Sequence, residues 1–85
     1  MFAMKYEAEF KPRAIKDCRH IDKNILKTIF AKIDMAADGL KGDVKRLTNF
    51  TPEYRLRSGD YRILFEIEDN KIIVYRIRHR REVYD

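Results

Sequence analysis

The chain has one cysteine, Cys18, two histidines, His20 and His79, and no apolar run approaching the ~20 residues that a membrane helix needs. Each scarcity closes off a class of function. A single thiol forms no intramolecular disulfide, and three Cys and His side chains are too few for an ordinary four-ligand zinc site, which argues against metal catalysis by such ligands. The opening MFAMKYEAEF lacks the apolar core of a secretion signal, so the expected setting is a reducing cytoplasm with no membrane partner. No internal repeat, low-complexity tract or linker divides the 85 residues, which are read as one domain spanning 1–85. A chain this short buries only about 60% of the surface that its unfolded form exposes, so its elements should keep one face wet.

What is abundant is charge. Charged residues make up 39% of the chain against 45% hydrophobic, and 19 Lys and Arg face 14 Asp and Glu, for a formal charge of +5. That balance favours a polyanionic partner. MKYEAEF at 4–10 alternates Met4, Tyr6, Ala8 and Phe10 against Lys5, Glu7 and Glu9, the period of a half-buried strand. Pro12 ends that pattern and suits the first turn of a short helix over 11–19, with Ala14, Ile15 and Cys18 inward. From Asp22, a candidate N-cap, Ile25, Leu26, Ile29, Phe30, Ile33 and Ala37 recur at helical spacing, and Gly39 supplies a left-handed stop. A strand near Val44 to Leu47, a loop at Thr48 to Pro52, and three further strands follow, with turns at Ser58–Asp60 and at Asp69–Asn70. The expected fold is α+β: an N-terminal strand and two helices packed on a twisted antiparallel sheet of about four strands.

The arginines are unevenly placed. If Gly59 and Asp60 form the two-residue turn, Arg57 lies opposite Arg62 with Arg55 one pleat further on the same face; a turn at Ser58 and Gly59 changes the partners but keeps the three arginines on that face. Like charges directly opposite repel, so this cluster lowers stability unless an anion usually sits there, and Glu66 is the nearest sheet counter-charge. In RIRHRREVYD, Arg76, Arg78, Arg80 and Arg81 crowd together ahead of Tyr84. Strict alternation puts Arg76, Arg78 and Arg80 on the face opposite Arg62, and Arg80 joins the cluster only if the strand bulges or ends near Arg78. Taken alone, the run also fits a solvated edge strand kept from aggregating by its charge. Guanidinium groups suit a phosphodiester, because the planar fork grips two non-bridging oxygens and stays charged. RNA carries its own nucleophile, the 2′-hydroxyl, so a protein can cleave it by orienting that group and neutralising the developing phosphorane. Arginine is a poor proton donor, which leaves Tyr84 or His79 to move a proton.

YRLRSGDYRILFEI followed by KIIVYRIRHRREVYD, behind a strand and a helix pair, closely resembles the RelE/ParE superfamily of bacterial toxins, in its RelE-like messenger-RNA endonuclease branch. The likeness covers essentially the whole chain, and RLRSGDYRILFEI and HRREVY are its most specific parts. It implies a type II toxin that enters the ribosomal A site, meets messenger and 16S ribosomal RNA, and cuts the messenger to a 2′,3′-cyclic phosphate without metal or other cofactor. It also implies a RelB-like antitoxin and a toxin–antitoxin hetero-oligomer. By the same resemblance Arg55 helps activate the 2′-hydroxyl, Arg62 stabilises the phosphorane, Arg80 assists the leaving oxygen, and Tyr84 stacks on a base or accepts a proton. Arg57, Arg78, Arg81, His79 and Lys45 are candidate RNA contacts around them, and Lys23, Lys27 and Lys32 add a wet basic surface. Some members carry a lysine where this chain has Glu53, and lysine is commoner at position 55, so no lowered-pKa amine is at hand and Tyr84 or His79 becomes the candidate base. The alternatives are a ParE-like toxin that poisons gyrase without nuclease chemistry and an inactive relative that only binds its antitoxin.

Overall fold

The computed structural model describes residues 5–82. A short strand β1 (Glu7–Phe10) leads into helices α1 (Pro12–Cys18) and α2 (Lys23–Ala37). Four strands follow, β2 (Val44–Arg46), β3 (Tyr54–Ser58), β4 (Tyr61–Glu68) and β5 (Lys71–His79), and a closing 3₁₀ turn over Arg80–Glu82. The sheet order is β1-β5-β4-β3-β2. β2 to β5 form the expected antiparallel meander, and β1 adds a fifth strand, parallel to β5, so the sheet is mixed. No helix among the described residues is long and apolar enough to cross a membrane.

Local chemistry explains most boundaries. Pro12 sits at the start of α1, where its missing N–H costs nothing. Asp22 caps α2 by accepting the Asn24 N–H at 2.8 Å, and Gly39, at φ 81°, takes the left-handed conformation just past the helix. Gly59, at φ 58°, opens the two-residue turn that pairs Ser58 with Tyr61 and Arg57 with Arg62.

Both helices cover one face of the sheet. Ala14, Ile29, Ile33 and Ala36 pack on Leu56, Ile63, Phe65, Ile72, Val74 and Ile77. Each fully buried Ile or Phe contributes about 1.5–3 kcal/mol, so this layer carries most of the stability. Ile15, Ile25 and Phe30 were expected inward by spacing, but they lie 50%, 41% and 41% exposed, with Phe30 edge-on to Phe10 at 5.9 Å and Ile25 beside the β3–β4 turn. A two-layer domain buries only one narrow stripe per helix.

One irregularity positions everything that follows. From the Asp69–Asn70 turn, β4 and β5 pair regularly up to Phe65 with Val74, and then the register shifts so that Leu64 pairs with Arg76. Tyr75 is the extra residue of a β-bulge. The expectation that Arg76 and Arg78 face away from Arg62 is therefore corrected: the bulge reverses the parity, Arg62 pairs with Arg78, and both lie on the face the helices leave open.

Candidate functional site

The open face carries two parallel cross-strand rows. Arg57, Arg62 and Arg78 are successive partners across β3, β4 and β5. Beside them run Lys45, Arg55, Leu64 and Arg76 across β2 to β5. Strands lie about 4.8 Å apart, so each row compresses its cations into a narrow band. Two unit charges about 6 Å apart repel by roughly 3 kcal/mol at an effective dielectric of about 20. A sheet face so arranged is an anion receptor or a liability.

Arg62 is the centre of the first row and is only 4% exposed. Its Nη1 donates to the carbonyls of Gly59 at 2.9 Å and Tyr61 at 3.1 Å, which fixes the side chain against the β3–β4 turn. Its Nε is buried with no acceptor, as is the Nε of Arg78. Among the described residues no carboxylate pairs with Arg62. Arg57 stands 4.0 Å from Asp43 and Arg78 stands 3.7 Å from Glu82, both long, half-open pairs of little energetic weight.

Arg80 reaches the same corner from another direction. Its N–H donates to the Asp60 carbonyl at 2.7 Å, and its exposed guanidinium lies 3.6 Å from the Asp60 carboxylate. One turn, Gly59–Asp60, thus anchors Arg62 through a side chain and Arg80 through its backbone. Arg55 is half-buried in the second row opposite Lys45, which is exposed. Glu66, expected as the local counter-charge, accepts the Glu53 N–H at 3.0 Å and so ties down the β2–β3 loop.

Other candidates fall elsewhere. His79 lies on the helix side of the sheet, edge-on to Tyr61 at 5.3 Å, where its Nδ1 accepts the Arg81 N–H at 3.2 Å. It lines a cavity of about 200 Å³ with Asp17, His20, Tyr61 and Glu82, and the sheet separates it from Arg62. Arg81 is exposed on the closing turn. Tyr84 lies outside the described residues. No group of three or more His, Cys, Asp or Glu side chains among the described residues could hold a metal ion.

Sequence reasoning missed Asp17. β1 accompanies β5 only as far as Val74, and beyond it the outer edge of β5 is taken over by α1. The Asp17 carboxylate accepts the Ile77 N–H at 2.9 Å and two bonds from Arg76, at 2.8 and 3.1 Å. Burial pushes this carboxyl up, but the hydrogen bonds from Arg76 and Ile77 and the charges of Arg76 and Arg78 outweigh burial and hold it below its ordinary value. The hydrogen bond to Asp17 in turn raises the pKa of Arg76. The residues are 59 apart in sequence, and nothing in the local pattern around IKDC marks the pairing.

Comparison with known proteins adds to this geometry. Residues 8–84 match the family model described as ParE toxin of type II toxin-antitoxin system, parDE. The chain is 33% identical over 81 residues to Toxin RelE3 of Methanocaldococcus jannaschii, covering 89% of this chain and 92% of that one. It is 28% identical over 87 residues to the mRNA interferase toxin RelE of Escherichia coli K12, covering 95% and 92%. Among solved structures, the RelB-RelE antitoxin-toxin complex from Methanococcus jannaschii aligns with a TM-score of 0.75 at 31% identity, over 89% of this chain and 94% of that one. The RelBE2 complex from Mycobacterium tuberculosis has the same fold, with a TM-score of 0.73 at 23% identity over 88% and 98%.

Proposed function

The chain belongs to the ParE toxin family of type II toxin–antitoxin systems, within the RelE/ParE superfamily, and from that premise we propose that it is a ribosome-dependent endoribonuclease that cuts messenger RNA in the A site. The observation that carries the reading is the row Arg57–Arg62–Arg78, with a buried central guanidinium that has no carboxylate partner among the described residues. A phosphodiester supplies the anion such a row lacks.

In the proposed reaction the 2′-oxygen attacks the adjacent phosphorus, the bond from phosphorus to the 5′-oxygen breaks, and the products are a 2′,3′-cyclic phosphate and a 5′-hydroxyl. One proton leaves the 2′-hydroxyl and one reaches the departing oxygen. Arg62, immobilised by Gly59 and Tyr61, is preorganised to meet the extra negative charge of the phosphorane. Arg80, anchored to the same turn through its backbone N–H but exposed, assists the leaving oxygen, and Arg55 sits beside the nucleophile. Tyr84 is the candidate proton acceptor, since His79 faces the helix side. Arg57, Arg78, Arg81 and Lys45 hold flanking phosphates. The reaction as drawn needs no metal. Its setting is the cytoplasm, where ribosomes are, and its inhibitor is a RelB-like antitoxin in a hetero-oligomer, in line with the RelB-type partners in similar structures.

The test is mapping of messenger 5′ ends on programmed ribosomes with purified protein. Cleavage is expected with wild type and is lost with Arg62→Ala or Arg80→Ala. Mutants that cut and arrest growth as wild type does would overturn the site. The match of residues 8–84 to the ParE toxin family favours a second reading, a gyrase-directed toxin without nuclease chemistry. It predicts trapped double-strand DNA breaks and intact messenger.

A further inference from the structure

Beside the arginine rows lies a groove of about 520 Å³ lined by Lys11, Pro12, Arg13, Pro52, Tyr75 and Arg76. Its composition differs from a plain basic surface. The aromatic ring and two prolines form an apolar floor, three cations form the rim, and among the described residues no carboxylate lines it. Lys11 Nζ is held 5.5 Å from the centre of the Tyr75 ring. Arg76 is committed to Asp17, which leaves the exposed Lys11 and Arg13 as the rim's available charges. The groove depends on the same bulge that aligns the arginines, because Tyr75 is the extra residue.

We propose that this groove receives one nucleotide of a single-stranded RNA whose neighbouring linkage is gripped at Arg62, with the base on Tyr75 and the phosphate on Lys11 and Arg13. An apolar, aromatic floor with a cationic rim matches the alternation of flat base and charged phosphate along a single strand. An acidic peptide would leave the floor unused. The base takes the place of the Lys11 ammonium over the ring, and the displaced ammonium meets the phosphate. Position supports the pairing of sites: Arg76 and Arg78 are about 6.6 Å apart along β5, and Arg62 is one strand spacing of about 4.8 Å beyond. This deepens the nuclease reading and rests on it for the identity of the RNA.

The test uses the full chain and a six-nucleotide single-stranded RNA made uncleavable by 2′-O-methylation, followed by NMR and by fluorescence anisotropy. The oligonucleotide should shift the Tyr75 ring and Lys11 side-chain signals. Tyr75→Leu should weaken binding about tenfold while Tyr75→Phe, which keeps the ring, binds as wild type. Lys11→Gln with Arg13→Gln, both at exposed positions, should weaken binding and flatten its salt dependence by about one to two counterions. Wild-type affinity in Tyr75→Leu and in the double variant, no binding by wild type at millimolar protein, or shifts produced by polyglutamate and not by RNA would each overturn the inference. Messenger mapping separates the two claims. Binding through the groove with no cleavage by wild type sinks the nuclease reading alone, and cleavage by wild type with no loss of binding in the variants sinks the groove alone.

Discussion

Two regions of one sheet face treat arginine in opposite ways. At the α1 edge, Arg76 is matched by Asp17 with two hydrogen bonds, and the same carboxylate closes the open edge of β5. At the β3–β4 turn, Arg62 is buried more deeply yet held only by backbone carbonyls, with an unsatisfied Nε and two further arginines beside it. The first arrangement is what a fold does with a charge it needs for structure. The second leaves a charge desolvated and uncompensated, which is costly unless a ligand completes it. The difference is the ground, independent of any relative, on which Arg62 is proposed as the functional arginine and Arg76 as the structural one.

The largest break in that comparison comes at Arg62. Arg62→Met keeps the buried stem and removes the charge, so cleavage on ribosomes should fall by about 10²–10³, the effect of losing one preorganised donor at a developing oxyanion. Thermal unfolding should move little, since lost carbonyl hydrogen bonds are offset by relief of repulsion. A variant that loses activity and stability together would place Arg62 in the structural class.

The mirror experiment is Asp17→Ala. Removing the acceptor of three hydrogen bonds, two from a charged partner, should cost roughly 2–3 kcal/mol in urea unfolding, with faster amide exchange at Ile77. Normal stability would mean that α1 does not hold the edge of β5. A smaller version of the same loss comes from acid. Asp17 is depressed in the fold, so its contribution is present above its ordinary value of 3.8 and is lost as the pH falls through its lower folded value. Wild type should therefore lose stability below about pH 4 more steeply than Asp17→Asn, which has no carboxylate there to protonate.

How much of this the sequence could reveal follows from the range of each interaction. α2 was legible because its cap, its apolar spacing and Gly39 are all local, and the shared face of Arg55, Arg57 and Arg62 was legible for the same reason, while the pairing of Arg57 with Arg62 needed the turn position that the structure supplies. The parallel docking of β1 was not, because nothing in Glu7–Phe10 distinguishes one edge from the other. A bulge in this strand was open as an alternative to strict alternation, but YRIR alternates faithfully, and only the pairing of β5 with β4 shows that a residue is skipped and that it is Tyr75. The convergence of Arg78 on Arg62, and the distance of His79 from both, follow from that single irregularity.

The smallest effect sharpens the comparison most, because its sign is unusual. Arg57 is an exposed outer member of the arginine row, with only a 4.0 Å approach to Asp43 to offset its neighbours. Truncating an ordinary surface arginine changes stability by less than about 0.5 kcal/mol in either direction. Here Arg57→Gln should raise stability by up to about 0.5 kcal/mol at low salt, since it removes repulsion against Arg62 directly opposite. At about 1 M salt, where screening acts within about 3 Å, the gain should vanish. A gain that survives high salt would come from packing or strand propensity, and the row would then be under no electrostatic tension. A gain that salt erases, together with weaker RNA binding, is what a face built to await an anion requires.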